Sequence, residues 1–197
     1  MPINHDTSFL DTMPANCAVQ FLDRVKMSGG REAFRFPGTG DSWESMTWAE
    51  AGERVRRYAA GLLSLGLESE QRVSIASATR VEWILADLAV MCAGGATTTV
   101  YPSTNGEDTA YIVGDSESRV VFAEDDTQLE KLRAHRDELP AVSKVVSFDA
   151  ALADGDWVIS LDDLAALGDA RLAETPDVID TTAAAITADQ LATLIYT

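Results

Sequence analysis

Histidine and cysteine are almost missing from this chain, which carries two of each in 197 residues. His5 stands in the opening segment, and His135 sits beside Arg133, Arg136 and Asp137 on the charged side of an expected helix. Neither has a nucleophile placed by sequence context, so a histidine-based triad has no support. Cys17 and Cys92 each lie in an apolar stretch and read as two buried free thiols. Two separated histidines and two such cysteines provide no metal-ligand cluster. Basic residues are also scarce. Against 32 acidic side chains there are 15 Lys and Arg, a formal net charge of -17. That field repels phosphate backbones and anionic surfaces, which points away from nucleic acid as a partner. Long apolar runs are missing too: the longest, Leu88 to Ala96, falls far short of the roughly 20 residues a bilayer-spanning helix needs. The opening Met1-Pro2-Ile3-Asn4-His5-Asp6 has no basic n-region and no apolar h-region after it, so the expectation is a cytoplasmic protein without a transmembrane segment. Finally, Gly94-Gly95 lacks the further glycine or lysine of a dinucleotide or Walker loop, and reads as the stop of the preceding helix.

The chain does have clear periodicity. Asn16 to Met27 reads as a capped helix that stops at Ser28-Gly29-Gly30. Two short strands come next, Glu32 to Pro37 and Ser42 to Met46, around a turn at Gly38-Thr39-Gly40-Asp41. Thr47 and Glu50 have capping-box spacing, and the apolar stripe Trp48, Ala51, Val55, Tyr58, Ala59, Leu62 and Leu65 then runs to Gly66. Beyond it lie strand Arg72 to Ser77, helix Val81 to Ala93, strand Thr97 to Val100, helix Glu107 to Asp115, strand Arg119 to Ala123, helix Thr127 to Leu139 and strand Lys144 to Phe148. Thr104 and Glu107 repeat the capping-box spacing, and Glu124-Asp125-Asp126 reads as a helix cap. This alternation defines an α/β fold, a mostly parallel sheet with helices on both faces.

The pattern divides the chain into four segments. Residues 1–46 hold the first helix and short strands, and 47–149 the alternating βα unit. Residues 150–190 are acidic, with Arg171 as the one base between Ala150 and Asp189, and read as a surface excursion. Within it Ser160 is expected to cap a short helix ending at Gly168, and Pro176 to break the structure after it. Residues 191–197 form a last strand, Leu191 to Tyr196, and its exit.

Composition and periodicity stop there, and resemblance carries the rest. In order, the chain presents Thr47-Trp48-Ala49-Glu50, Ala59-Ala60-Gly61-Leu62, Leu65-Gly66, Arg72-Val73-Ser74-Ile75, Glu82-Trp83, Gly95-Ala96 and Tyr101-Pro102-Ser103. Then come Tyr111-Ile112, Asp115-Ser116, Val120-Val121-Phe122, Glu124-Asp125 and Leu191-Ala192-Thr193-Leu194-Ile195-Tyr196-Thr197. This succession resembles the adenylate-forming (AMP-binding) superfamily and is most similar to its long-chain fatty-acid–CoA ligases. The resemblance implies the first part of the large N-terminal domain of such an enzyme. It implies ATP, Mg2+ and coenzyme A as cofactors or co-substrates and a fatty acid as substrate. Acyl-adenylate formation and then thioesterification would be the chemistry, with homodimerisation and peripheral membrane contact compatible with it. In that family the last strand is buried and delivers the chain into a Ser/Thr/Gly loop around the phosphates. Thr197 is thereby implied as a contact for phosphate or for the accompanying Mg2+. No catalytic residue is assigned within these residues, and the segment by itself is expected to be inactive. Gln190 departs from an acidic residue frequent in the family, and Ser103 from its usual threonine. Two alternatives stay open: a sibling adenylating enzyme acting on medium-chain or aryl acids or stopping at acyl-AMP, and a non-catalytic α/β binding domain.

Overall fold

The computed structural model describes residues 13–197. Helix α1, Cys17–Ser28, begins at Asn16, whose Oδ1 accepts from the Val19 N–H at 2.8 Å. Strands β1, Glu32–Pro37, and β2, Trp43–Thr47, form an antiparallel hairpin. Helix α2, Trp48–Ser64, starts with the expected capping box: the Glu50 carboxylate accepts from Thr47 N–H at 2.7 Å, and the Thr47 hydroxyl accepts from Glu50 N–H at 3.3 Å. It ends where Gly66 takes φ +84°, a conformation that favours glycine.

The alternating region matches the sequence pattern closely. It comprises β3 Arg72–Ala76, α3 Val81–Cys92, β4 Ala96–Val100, α4 Gly106–Asp115, β5 Val120–Ala123, α5 Asp126–Ala134 and β6 Lys144–Ser147. Two local readings change. The cap of α4 is Asn105, accepting from Asp108 N–H at 2.8 Å, while the Thr104 N–H turns back to Tyr101 O. Helix α5 gives way after Ala134 to a separate 3-10 turn at Arg136–Glu138, so it is shorter than expected.

The larger correction concerns residues 150–189, expected to be a surface excursion. They supply β7, Val158–Ser160, which pairs in parallel with β6, and two helices, α6 Leu161–Glu174 and α7 Val178–Ala185. Trp157, Val158, Ile159, Leu164, Ala165, Ile179 and Ala183 are all buried. Four of the acidic residues, Asp162, Asp163, Asp169 and Glu174, line the outer face of α6, and most of the others lie in turns, an arrangement that a count cannot separate from a loop. Ser160 does cap α6, in a box with Asp163. Gly168, however, lies inside the helix: a methyl built on it would collide with the Arg57 carbonyl oxygen of α2, and one on Gly61 with the Leu164 carbonyl oxygen. These glycines let the two helices touch backbone to backbone. Arg57 and Asp169 close the same contact with bonds of 2.7 and 2.6 Å.

The six-stranded sheet runs β7-β6-β5-β3-β4-β8, every pairing parallel, with β8 reduced to Thr193–Leu194. Alternate residues feed two cores. Val73, Ile75, Val120, Phe122, Val146 and Ile159 join the layer of α1, α2, α3, α6 and α7. Ala76, Val100, Val121, Ala123, Val145 and Val158 join α4 and α5. The period-two alternation of a strand is what allows one sheet to serve both.

Helix α7 is held by polar chemistry at its outer rim. Arg56 grips Asp180 with bonds of 2.7 and 2.9 Å, and Lys26 lies 3.6 Å from the same carboxylate. The Arg56 hydrogen bonds, aided by its charge and by Lys26 and opposed by partial burial, hold the Asp180 carboxyl below the ordinary carboxylate range. Asp180→Asn should cost about 1 kcal/mol, since the pair is bidentate yet partly exposed. A depressed carboxyl stabilises above its unfolded pKa of about 3.9 and loses that effect as pH falls through its folded value. The gap between wild type and variant in urea unfolding should therefore shrink below about pH 4. A gap that persists unchanged at pH 3 would contradict this ion pair.

Candidate functional site

In open parallel sheets ligands collect at the carboxyl ends of the strands, at the point where successive connections diverge. Here β3 connects toward β4 on one side, whereas β5 connects toward β6 on the other, and β3 and β5 are neighbours. The divergence therefore lies between Ala76 and Ala123. The loop after β3 is fixed at that point: Ala78 N–H donates to Glu124 Oε2 at 2.7 Å. Arg80 donates to both Glu82 oxygens at 2.6 and 3.1 Å, reaches Glu124 Oε1 at 3.5 Å, and stands 5.8 Å from the Phe148 ring centre. Partial burial works against the Glu82 charge, but the Arg80 bonds outweigh it and lower its pKa. With Phe36–Thr39 and Glu44 of the hairpin, Ala78, Arg80, Glu82 and Glu124 line a cleft of about 530 Å3. Arg80 at this edge is paired with two carboxylates, Glu82 and Glu124, which brace the loop after β3 against the start of α5.

The pairing of Arg80 with Glu124 is not visible in the sequence pattern. The acidic run Glu124-Asp125-Asp126 is expected to cap α5, and Asp125 alone does so, accepting from Gln128 N–H at 3.0 Å, which leaves Glu124 for the β3 loop. Nothing local distinguishes the two carboxylates, because the partners of Glu124 lie more than forty residues away.

The residue implied by resemblance, Thr197, is exposed. Before it, β8 enters the sheet through Thr97 N–H donating to Ala192 O and the Thr193 hydroxyl donating to Thr97 O, both at 3.0 Å. Beyond Leu194 the chain leaves the ladder. The Tyr196 hydroxyl donates to Asp115 at 2.7 Å, and its ring packs edge-on to Tyr111 at 6.3 Å. Partial burial and the Asp115 carboxylate push that hydroxyl up to about 12. The paired part of the last strand, Thr193–Leu194, is shorter than the Leu191 to Tyr196 span expected. Ile195, just past the ladder, is 69% exposed among the described residues.

Cys92 is buried, and burial pushes its thiol up to about 12, as expected of an inert core cysteine. Cys17, expected to be buried, is exposed: it starts α1 on the outward side, beside the buried Ala18. His135 sits just past α5, its Nδ1 2.8 Å from Glu138 Oε1, its ring against Gly106. His5 lies outside the described residues. Among the described residues no group of three His, Cys, Asp or Glu side chains could hold a metal ion, and no helix is long and apolar enough to cross a membrane.

A doubly wound α/β sheet with its cleft at the carboxyl edge defines the class of domain. The chain belongs to the AMP-binding enzyme family, whose model matches residues 21–197. It is 34% identical over 155 residues to the long-chain-fatty-acid–CoA ligase FadD15 of Mycobacterium bovis, covering 79% of this chain and 24% of that protein. It is 36% identical over 148 residues to the long-chain-fatty-acid–CoA ligase heimdall of Drosophila melanogaster, covering 73% and 22%. The chain therefore spans about a quarter of the length of these curated relatives. Among solved structures, the anthranilate CoA ligase AuaEII in complex with anthranoyl-AMP shares the fold, with a TM-score of 0.69 at 18% identity over 79% of this chain and 29% of that one.

Proposed function

We propose that the whole protein to which this chain belongs is an ATP-dependent long-chain fatty-acid–CoA ligase. The observation that carries this reading is the similarity to curated ligases of that name across most of the chain. In the reaction, a carboxylate oxygen attacks the α-phosphorus of ATP and pyrophosphate leaves. The thiol of coenzyme A then attacks the acyl carbon, AMP leaves, and the thiol proton passes to solvent or base. These residues supply the sheet and one exposed hydroxyl, Thr197, as a contact for the phosphates or their Mg2+. A single protein oxygen suits Mg2+, which keeps several waters and binds largely through phosphate oxygens. On this reading the enzyme works in the cytoplasm, meets membranes peripherally when it collects fatty acid, and acts as a homodimer.

The test is to incubate the whole protein with Mg-ATP and palmitate, octanoate or an aryl acid, with and without coenzyme A. Palmitate should give the fastest pyrophosphate release and, with coenzyme A, palmitoyl-CoA. Preference for the aryl acid, or adenylate that never passes to coenzyme A, would reassign it to a sibling enzyme. Thr197→Val should raise KM for ATP about tenfold, the value of one charge-assisted hydrogen bond. An unaltered KM would remove Thr197 from the nucleotide site.

A further inference from the structure

At the amino end of the sheet, the segment entering β8 is held by two side chains. Gln190 uses both ends of its amide: Oε1 accepts from Thr187 N–H at 2.7 Å, and Nε2 donates to Ser69 Oγ at 2.6 Å. The amide thus bridges the turn at Thr187 to the loop before β3 at Ser69. Next to it, the Glu70 carboxylate accepts from Leu191 N–H at 2.9 Å. Glu70 stands at φ 62°, a left-handed conformation uncommon for glutamate, and its own N–H donates to Gly94 O at 2.8 Å. One residue thus ties the end of α3, just ahead of β4, to the entry of β8.

The two strands pair in the register Thr97 with Thr193 and Thr98 with Leu194. A slip of one residue in this ladder would turn Thr193 and Leu194 to the opposite faces and displace the chain that follows them. We propose that Glu70, backed by the Gln190 bridge to Ser69, is a positioning residue that sets the register of β8 and thereby where Thr197, three residues beyond Leu194, meets the nucleotide. The proposal rests on the ligase reading for its link to ATP; the register itself does not depend on it. Strain and anchoring go together here, because the left-handed backbone lets one residue reach Gly94 and Leu191 at once.

The test compares Glu70→Ala, Glu70→Gly and Glu70→Gln in the whole protein, by steady-state kinetics and by amide exchange at Thr97, whose N–H donates to Ala192 O. Alanine and glycine should raise KM for ATP about tenfold, leave KM for palmitate within about twofold, and speed Thr97 exchange about tenfold. Glycine relieves the backbone but cannot accept from Leu191, so it should behave as alanine does. Glutamine keeps an acceptor and should remain within about threefold of wild type on every readout. Wild-type ATP kinetics and wild-type exchange in Glu70→Ala would overturn the proposal, and so would equal rises in both KM values with a lowered Tm. A wild type that makes no adenylate would instead overturn the ligase reading, and Thr97 exchange alone would then decide the register.

Discussion

Gly168→Ala is expected to destabilise the protein by about 3 kcal/mol, the upper range for overpacking. By intrinsic propensity the change should help, since alanine is favoured over glycine inside a helix by about 1 kcal/mol. The tertiary contact reverses that sign. A methyl at 168 would collide with the Arg57 carbonyl oxygen and stand 2.8 Å from the Arg57 carbonyl carbon. Backbone atoms of a helix cannot rotate aside as a flexible side chain does, so α2 and α6 would have to separate. Separation would also open the contact of Gly61 with Leu164 and stretch the Arg57–Asp169 bonds. In thermal unfolding the loss should appear as a fall of roughly 6–12 °C in Tm. Gly30→Ala makes a suitable control: that site is exposed and no atom lies within 4 Å of its built methyl. Its effect should stay within about 0.5 kcal/mol. Equal Tm values for the two variants would refute backbone contact at Gly168.

Phe122→Ala should be costlier still, about 3–5 kcal/mol, the range for emptying a fully buried aromatic site. Phe122 is 0% exposed at the centre of β5, in register with Ile75 on one side and Val146 on the other. Its ring lies 6.0 Å from that of Phe148, which in turn carries Arg80 at 5.8 Å. The cavity would thus open directly beneath the residues that brace the carboxyl edge, linking core packing to the geometry of the cleft. Phe122→Leu retains most of the volume and should cost less than about 1.5 kcal/mol. Urea titrations measure both. Similar midpoints for Leu and Ala variants would mean that volume at this site does not matter.

How much of this is legible in the residues depends on how far each partner lies along the chain. The caps at Asn16, Thr47 and Ser160 are legible because each bonds a backbone N–H three residues on. The exchange of Thr104 for Asn105 shows the limit of that logic, since both residues have side chains able to cap and only the turn to Tyr101 chooses between them. The break at Pro176 is likewise legible, and α6 does end at Glu174 ahead of it. At the site the balance shifts. Glu82 and Glu124 can be noticed, but their convergence on Arg80 depends on β3 and β5 being neighbours.

Residue order alone was enough for the alternation of strands and helices, most of their ends, and the parallel class of the sheet, since these arise from periodicity and from contacts a few residues long. Packing between distant segments was needed to make residues 150–189 an edge strand and two buried-face helices, to turn Gly168 from a stop into a contact, to face Cys17 outward, and to set Glu70 at the entry to β8. Each of those outcomes depends on groups brought together from remote parts of the chain, and no local pattern records which remote surface a residue will meet.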